Sequence, residues 1–356
     1  MTRRKKRPLP TGQARAAAQG LAFAPFAFWT AIAMRDQGVL DALERAGANG
    51  LSEAELAAET GLSPYAVSVL TDFALDLGMV QRSAERLELA ALGSVLLNDE
   101  LTRVNMDFTR DFAYHGLARL PESLAEEKPA GLAHFGPWKT LYEGLAELDQ
   151  PAAQSWFRFD QFFSERAFEA LVPRIFEHGP AHVVDVGANT GNLAARCLSH
   201  CPDVQVTLVD LPDVLELART RLDDEGFGGR FRLHPAQLLD PACELPFGAD
   251  VMVMSQLLAC FSRAQIESLL GRAAAAMAAH TRLYVIELFP DVQIHDAARY
   301  SLNAISLYFT ALATGNSRFY RRDQLLPLID NAGLTVESEH EQVGQGHSLL
   351  VCRRQG

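Results

Sequence analysis

The chain has 356 residues, more than the roughly 100 to 200 of a single domain, so two domains or one domain with a large appendage is expected. Hydrophobic residues at 48% and charged ones at 21% allow a sizeable core and exclude a disordered polar chain. A net charge of -12, from 32 basic and 44 acidic residues, repels polyanions, so nucleic acid is not expected as a partner.

Arg3, Arg4, Lys5, Lys6 and Arg7 stand well ahead of an apolar run over 21–34, and residues 37–43 continue that run with helical spacing. This reads as a disordered basic tail over 1–20 and not as a signal peptide. No stretch reaches the roughly 18 to 20 apolar residues of a membrane span, so no membrane partner is expected. Five scattered cysteines form no disulfide framework and fit a reducing cytoplasm. Residues 21–100 read as helices with one apolar face. Within them Ser52 and Glu55 form a capping box, Gly61 closes a turn, and Ser63 with Pro64 starts a second helix, as in a helix-turn-helix. Segments 79–82 and 87–89 then supply the small hairpin of a winged helix. Its second helix carries Asp72 and Asp76 but no Lys or Arg, which argues against a DNA-binding regulator.

Residues 101–174 form a helical, aromatic-rich segment. From 181 onward short β-branched runs alternate with helical ones, at 181–187, 204–210, 231–234, 250–255 and 283–288. That alternation implies an α/β fold, a Rossmann-like doubly wound parallel sheet with helices on both faces. Segments 335–343 and 347–353, joined through Gly344 and Gly346, read as an antiparallel hairpin at the sheet edge.

The most informative stretch is the strand that ends in Asp185 and turns through Gly187, Asn189 and Gly191 into a helix. A dinucleotide loop wants Gly-x-Gly-x-x-Gly, and counting from Gly187 places Asn189 and Asn192 where its other glycines belong. Asp185 would repel a pyrophosphate but attract an ammonium group. Asp210, ending the next strand, can accept hydrogen bonds from both hydroxyls of a ribose. An amine, a ribose and a helix N-terminus together suggest S-adenosylmethionine.

On these residues the chain resembles the class I methyltransferases, and more narrowly the two-domain O-methyltransferases of plants and bacteria, such as the hydroxyindole and caffeate types, over nearly everything after residue 20. The resemblance implies a winged-helix dimerisation domain over 21–100 that pairs a homodimer, a helical linker over 101–174 that roofs the site, and a cofactor domain over 175–356. Asp185, Gly187 and Gly191 would match the first cofactor motif, and the string Val209, Asp210, Leu211, Pro212 the second. Asn189 and Ser255 complete the expected cofactor contacts, with Gln237 at the adenine amine where the family carries an acid. Ala188 and Asn189 stand where the family usually has glycines.

Family members that methylate phenols carry a His-Asp pair after the fourth strand of the sheet, and here Ala259 and Cys260 align with it. A phenol, with a pKa of about 10, needs a base, whereas a carboxylic acid is already ionised at neutral pH. Three readings stay open: an acceptor that needs no base, a base from elsewhere, or a protein that binds the cofactor without methylating, such as a cyclase. A carboxylate on a natural product or peptide explains the absence most economically, and it would want a guanidinium, for which Arg158, Arg299 and Arg318 are candidates. The segment 300–320 resembles a bacterial subgroup that includes methyltransferases of peptide C-terminal carboxylates. Phe157, Arg158, Phe162, Phe163, Asn303, Tyr308, Arg318 and Tyr320 are the expected acceptor contacts. His115, His134 and His295 are alternative bases, which would serve a phenol or amine acceptor. Cys197, His200 and Cys201 have metal-ligand chemistry but no fourth partner in the sequence nearby, so no metal is expected.

Overall fold

The computed structural model describes residues 9–356, and the five basic residues at 3–7 lie outside them. The chain divides into two compact units, the first ending at Asp107 and the second covering Phe108–Gly356.

The first unit holds helices α1 (Thr11–Ala22), α2 (Ala24–Asp36), α3 (Val39–Ala46), α4 (Glu53–Thr60) and α5 (Pro64–Leu77), the hairpin β1 (Val80–Ser83) and β2 (Arg86–Leu89), then α6 (Ala91–Asn98) and the start of α7 (Glu100–Phe108). The Ser52 hydroxyl accepts the Glu55 N–H while the Glu55 carboxylate accepts the Ser52 N–H, and Gly61, at a φ of 73°, ends α4. The Ser63 side chain caps α5. Met34, Leu40, Leu43, Leu56, Val67 and Leu87 are fully buried in one core. Two expectations need correction. The tail is helical from Thr11, because alanines, Gln13 and Arg15 are strong helix formers. The boundary falls after Asp107 and not at 100, since α7 carries Met106 into the first unit's core. Helix α1 buries none of its residues, and Leu21, Phe23 and Phe26 are exposed by 77%, 52% and 63%. Among the described residues no single helix is long and apolar enough to cross a membrane; α1 and α2 pass that test only as a pair, bent by 59°.

The second unit continues with a turn of π-helix (Thr109–Ala113), α8 (Tyr114–Leu117), α9 (Leu120–Glu126), α10 (Leu141–Gly144) and the long α11 (Ala152–Ile175). The sheet segment follows as β3 (His182–Val186), α12 (Asn192–His200), β4 (Gln205–Asp210), α13 (Pro212–Asp224), β5 (Phe231–Pro235), β6 (Val251–Ser255), α14 (Arg263–Ala276) and β7 (Arg282–Glu287). Next come α15 (Asp296–Tyr308), a second π turn (Phe309–Ala313), α16 (Arg322–Asn331), β8 (Leu334–Val343) and β9 (His347–Arg354).

Seven strands order as β5-β4-β3-β6-β7-β9-β8. The first five are parallel, and β9 is antiparallel to both β7 and β8. Strand residues alternate between two cores, as a pleated sheet covered on both faces requires. Val183, Val206, Val253 and Ile286 pack with α11, α12 and α13, whereas Val184, Met252, Val285 and Leu350 pack with α14 and α16. The chain runs outward from β3 through β4 to β5, then returns to β6 on the other side of β3. That reversal opens a crevice at the carboxyl ends of the strands.

Candidate functional site

The crevice is part of a cavity of about 1640 Å³, counting the space at its open mouth. Strand ends build one half and helices the other.

At the strand end, Gly187 takes a φ of 78°, and a Cβ there would stand 2.6 Å from Leu257 Cδ1, so the loop needs glycine. The Gly187 and Ala188 N–H groups both donate to the Val209 carbonyl, at 2.8 and 3.2 Å, which ties the loop to β4. Asn189 follows in a left-handed conformation, φ 48°, and Gly191, φ 77°, precedes α12. Asp210 Oδ2 accepts the Asn189 N–H at 2.8 Å and Oδ1 the Leu211 N–H at 2.7 Å. Burial pushes the Asp210 carboxyl up while those two donors oppose it, and each oxygen keeps a lone pair for a further donor. Asp185 is 3% exposed, and its Oδ2 is buried without a partner, as is Ser255 Oγ. Burial, then the Asp210 charge, raises the Asp185 pKa to about 7. An orphaned buried carboxylate is unfavourable until a donor, best a cation, reaches it. The glycine cradle, the cavity-lining carboxylates of Asp185 and Asp210 and the orphaned oxygens fit the amino acid and ribose of S-adenosylmethionine. Gln237 also lines the cavity, its Oε1 accepting the Leu239 N–H at 3.2 Å.

At the helix end, Trp156, Phe159, Asp160, Phe163 and Ser164 line the cavity from α11. Their spacing of i, i+3, i+4, i+7 and i+8 marks one helical face. Leu302, Ile305, Tyr308 and Phe309 line it from the segment that starts with α15. Trp156 Nε1 donates to Tyr308 Oη at 2.9 Å, fixing both rings. Phe108 stacks on Phe159 with centroids 4.1 Å apart and meets Tyr308 edge-on at 5.1 Å. Burial raises the pKa of Tyr142 and Tyr308 and pushes the Cys260 thiol to about 12, and Tyr142 and Cys260 hydrogen-bond to each other. Glu287 is buried behind this wall, its Oε1 accepting the Leu258 N–H at 2.7 Å. Burial pushes its carboxyl to about 8 against the opposing N–H groups of Leu258, Ala259 and Leu257, which it holds in the turn Leu258–Cys260. Asp160 sits where the two halves meet. Asn189 Nδ2 donates to its Oδ2 at 2.9 Å, and burial raises its pKa to about 6, with Asp210 adding to the rise and Asn189 opposing it.

Of the expected acceptor contacts, only Phe163 and Tyr308 line the cavity. Phe157, Arg158 and Phe162 lie off the lining face of α11 by helical phase; Arg158 is exposed, and Phe162 carries the Arg166 guanidinium over its ring at 4.4 Å. Asn303 is on the exposed side of α15 and donates to the Arg299 carbonyl. Arg318 is exposed, its Nε donating to the Phe319 carbonyl, and Tyr320 is buried, its hydroxyl donating to the Phe261 carbonyl at 2.7 Å. Ala259 is buried in the aromatic core and is not part of the cavity wall. His115 and His134 face each other at 5.1 Å and His295 precedes α15, all outside the wall. Asp160, Tyr142, Trp156 and Cys260 were not among the expected site residues. Helical phase could have found two of them: placing Phe163 on the site face also places Trp156 and Asp160 there.

The O-methyltransferase domain family matches residues 169–334, and the Dimerisation2-like domain matches residues 15–87. The L-tyrosine C(3)-methyltransferase of Streptomyces lavendulae is 24% identical over 92% of this chain and 90% of that protein. The aclacinomycin 10-hydroxylase of Streptomyces purpurascens is 26% identical over 87% and 82%. In fold, the chain matches the apo crystal structure of the S-adenosylmethionine-dependent methyltransferase SibL with a TM-score of 0.73 and 24% identity, covering 96% of this chain and 99% of that one.

Proposed function

We propose that this chain, which belongs to the S-adenosylmethionine-dependent O-methyltransferase family and carries a dimerisation domain that supports a homodimer, methylates a hydroxyl on an uncharged aromatic small molecule. When bound, S-adenosylmethionine supplies a methyl group made electrophilic by its sulfonium. Asp185 would hold the ammonium, Asp210 the ribose hydroxyls, and the Gly187-to-Gly191 loop the backbone contacts between them, with Leu211 and Ser255 beside it. Gln237 Oε1 keeps one lone pair for the adenine amine.

One observation carries the choice of acceptor: among the described residues lining the cavity there is no Lys, Arg or His, while its helix half is walled by Trp156, Phe159, Phe163, Tyr308 and Phe309. A carboxylate acceptor, which the missing histidine alone would favour, would meet Asp160 and Glu143 without a cation to hold it. A neutral arene meets offset and edge-on ring surfaces instead. The packed walls act by holding the acceptor oxygen in line and keeping water out.

The test is incubation of the protein with methyl-labelled S-adenosylmethionine and either 1-naphthol or 1-naphthoate, reading both the labelled product and S-adenosylhomocysteine. Methyl ether formation should exceed ester formation at least tenfold. Esterification of naphthoate at the same or a higher rate would overturn the acceptor class. The hydroxylase among the relatives makes the second readout necessary, since turnover without S-adenosylhomocysteine would point to a non-methylating use of the cofactor.

A further inference from the structure

We infer that Asp160 is the proton acceptor for the acceptor hydroxyl, and that Asn189 is the positioning residue that aims it, so that the pair does the work of the histidine this chain lacks. The inference rests on the methyltransferase reading above.

Three observations support it. First, Asp160 lines the cavity at the junction of its halves, and only one of its oxygens is engaged, by Asn189 Nδ2 at 2.9 Å. A cavity-lining carboxylate can accept the proton of a hydroxyl placed beside it. Second, the titratable groups that line the same cavity are Asp210 on β4, Asp185 on β3, Glu143 and Tyr142 on α10, Cys260 after β6 and Tyr308 on α15. Burial holds Tyr142, Tyr308 and Cys260 in their neutral forms at neutral pH, and Asp185 and Asp210 belong to the cofactor end. Of the two acceptor-side carboxylates among the described residues, Glu143 is exposed and accepts the Lys139 N–H at 3.1 Å, whereas Asp160 stands at the junction beside the cofactor loop and, at about 6, is an ionised base at neutral pH. Third, Asn189 occupies a left-handed position, φ 48°, that glycine would take without strain. Its side chain reaches Asp160 while its N–H reaches Asp210, so one residue fixes the base relative to the ribose carboxylate.

In the step, the acceptor O–H bond breaks and an O–H bond forms on Asp160. The electron pair of the broken bond stays on the acceptor oxygen, which becomes the nucleophile, and Asp160 later releases the proton to water.

The experiment compares wild type, Asp160→Asn and Asn189→Gly at saturating S-adenosylmethionine with two probes: 1-naphthol, whose hydroxyl is protonated at the assay pH, and 4-nitro-1-naphthol, which is already ionised. Cofactor affinity is measured separately by calorimetry. Asp160→Asn should bind the cofactor, lose about 100-fold to 10,000-fold on 1-naphthol, lose less than tenfold on 4-nitro-1-naphthol, and lose the acid limb of the pH profile. Asn189→Gly should move that limb to higher pH, because the hydrogen bond it removes favours the ionised carboxylate. Equal losses on both naphthols would mean a structural role and overturn the proposal, as would an unchanged acid limb in Asp160→Asn. Cofactor binding by wild type with neither naphthol methylated would also overturn it. Failure of wild type to bind the cofactor would instead sink the reading on which it rests.

Discussion

The two halves of the cavity solve recognition in opposite ways. The cofactor half is built from strand ends and presents carboxylates, two of them on adjacent strands, to a ligand that brings its own positive charge. The acceptor half is built from helices and presents rings, and among the described residues the only charges it adds are the carboxylates of Asp160 and Glu143. On the proposed reading, charge would hold the cofactor and shape would select the acceptor. Substitutions on the first half should read out in cofactor affinity and pH dependence, and substitutions on the second in packing.

The largest effect on cofactor affinity is expected from Asp185→Asn. Losing a buried charge-assisted hydrogen bond is worth about 1.5–3 kcal/mol, so calorimetry should show cofactor affinity falling roughly 10-fold to 100-fold with the circular dichroism spectrum intact. An unchanged dissociation constant would dissolve the contrast between the halves. The pH dependence follows from the same residue. Its pKa is raised from 3.8 to about 7, so the unliganded protein keeps the proton well into the neutral range, while a bound ammonium favours the ionised form. Binding therefore releases a proton at pH 6, and affinity should strengthen about fivefold between pH 6 and 7 and approach a plateau about tenfold above the pH 6 value by pH 8. In the unliganded protein the sign reverses: because folding raises this pKa, the stabilisation it contributes is present at low pH and is lost as pH rises through 7. Calorimetry in buffers of different ionisation enthalpy would count the released protons, and zero would contradict the assignment.

A smaller effect is expected on the helix side. Tyr308→Phe leaves Trp156 Nε1 buried without an acceptor, at a cost of about 1–3 kcal/mol, so the melting temperature should fall while cofactor affinity stays within twofold. A change in affinity would mean that the two halves are coupled through the ring wall. The smallest effect belongs to Asn303→Ala, on the exposed side of α15, which should leave stability, cofactor affinity and turnover within twofold; a tenfold loss of turnover would return that residue to the site.

Legibility in the sequence followed the same division. A residue at the carboxyl end of a parallel strand, such as Asp185 or Asp210, has its place set by the sheet, and Gly187 is required by the turn that follows, so the loop and its carboxylates could be located from spacing alone. The alternation of strands and helices and the closing hairpin were legible for a similar reason, because period-two and longer apolar patterns differ strongly. On a helix, composition says that rings are present but not where they point. Phe157 and Phe162 differ from Phe159 and Phe163 only by about 100° of rotation per residue, and an aromatic run hides that phase. An acid among rings, such as Asp160, resembles a solvated interruption until the opposing Asn189 is in view. Arg318 and Tyr320 misled by type: a guanidinium and a phenol suggest ligand contacts, but one faces solvent and the other secures the backbone of Phe261.

The exposed Leu21, Phe23 and Phe26 at the end of α1 and the start of α2 would put the first unit under mass action in the homodimer that its dimerisation domain supports. Were a second copy to cover these residues, each doubling of protein concentration would shift the population toward the partnered form, and the unfolding midpoint would climb with it. Dilution alone, with no substitution and no denaturant, would then weaken this fold.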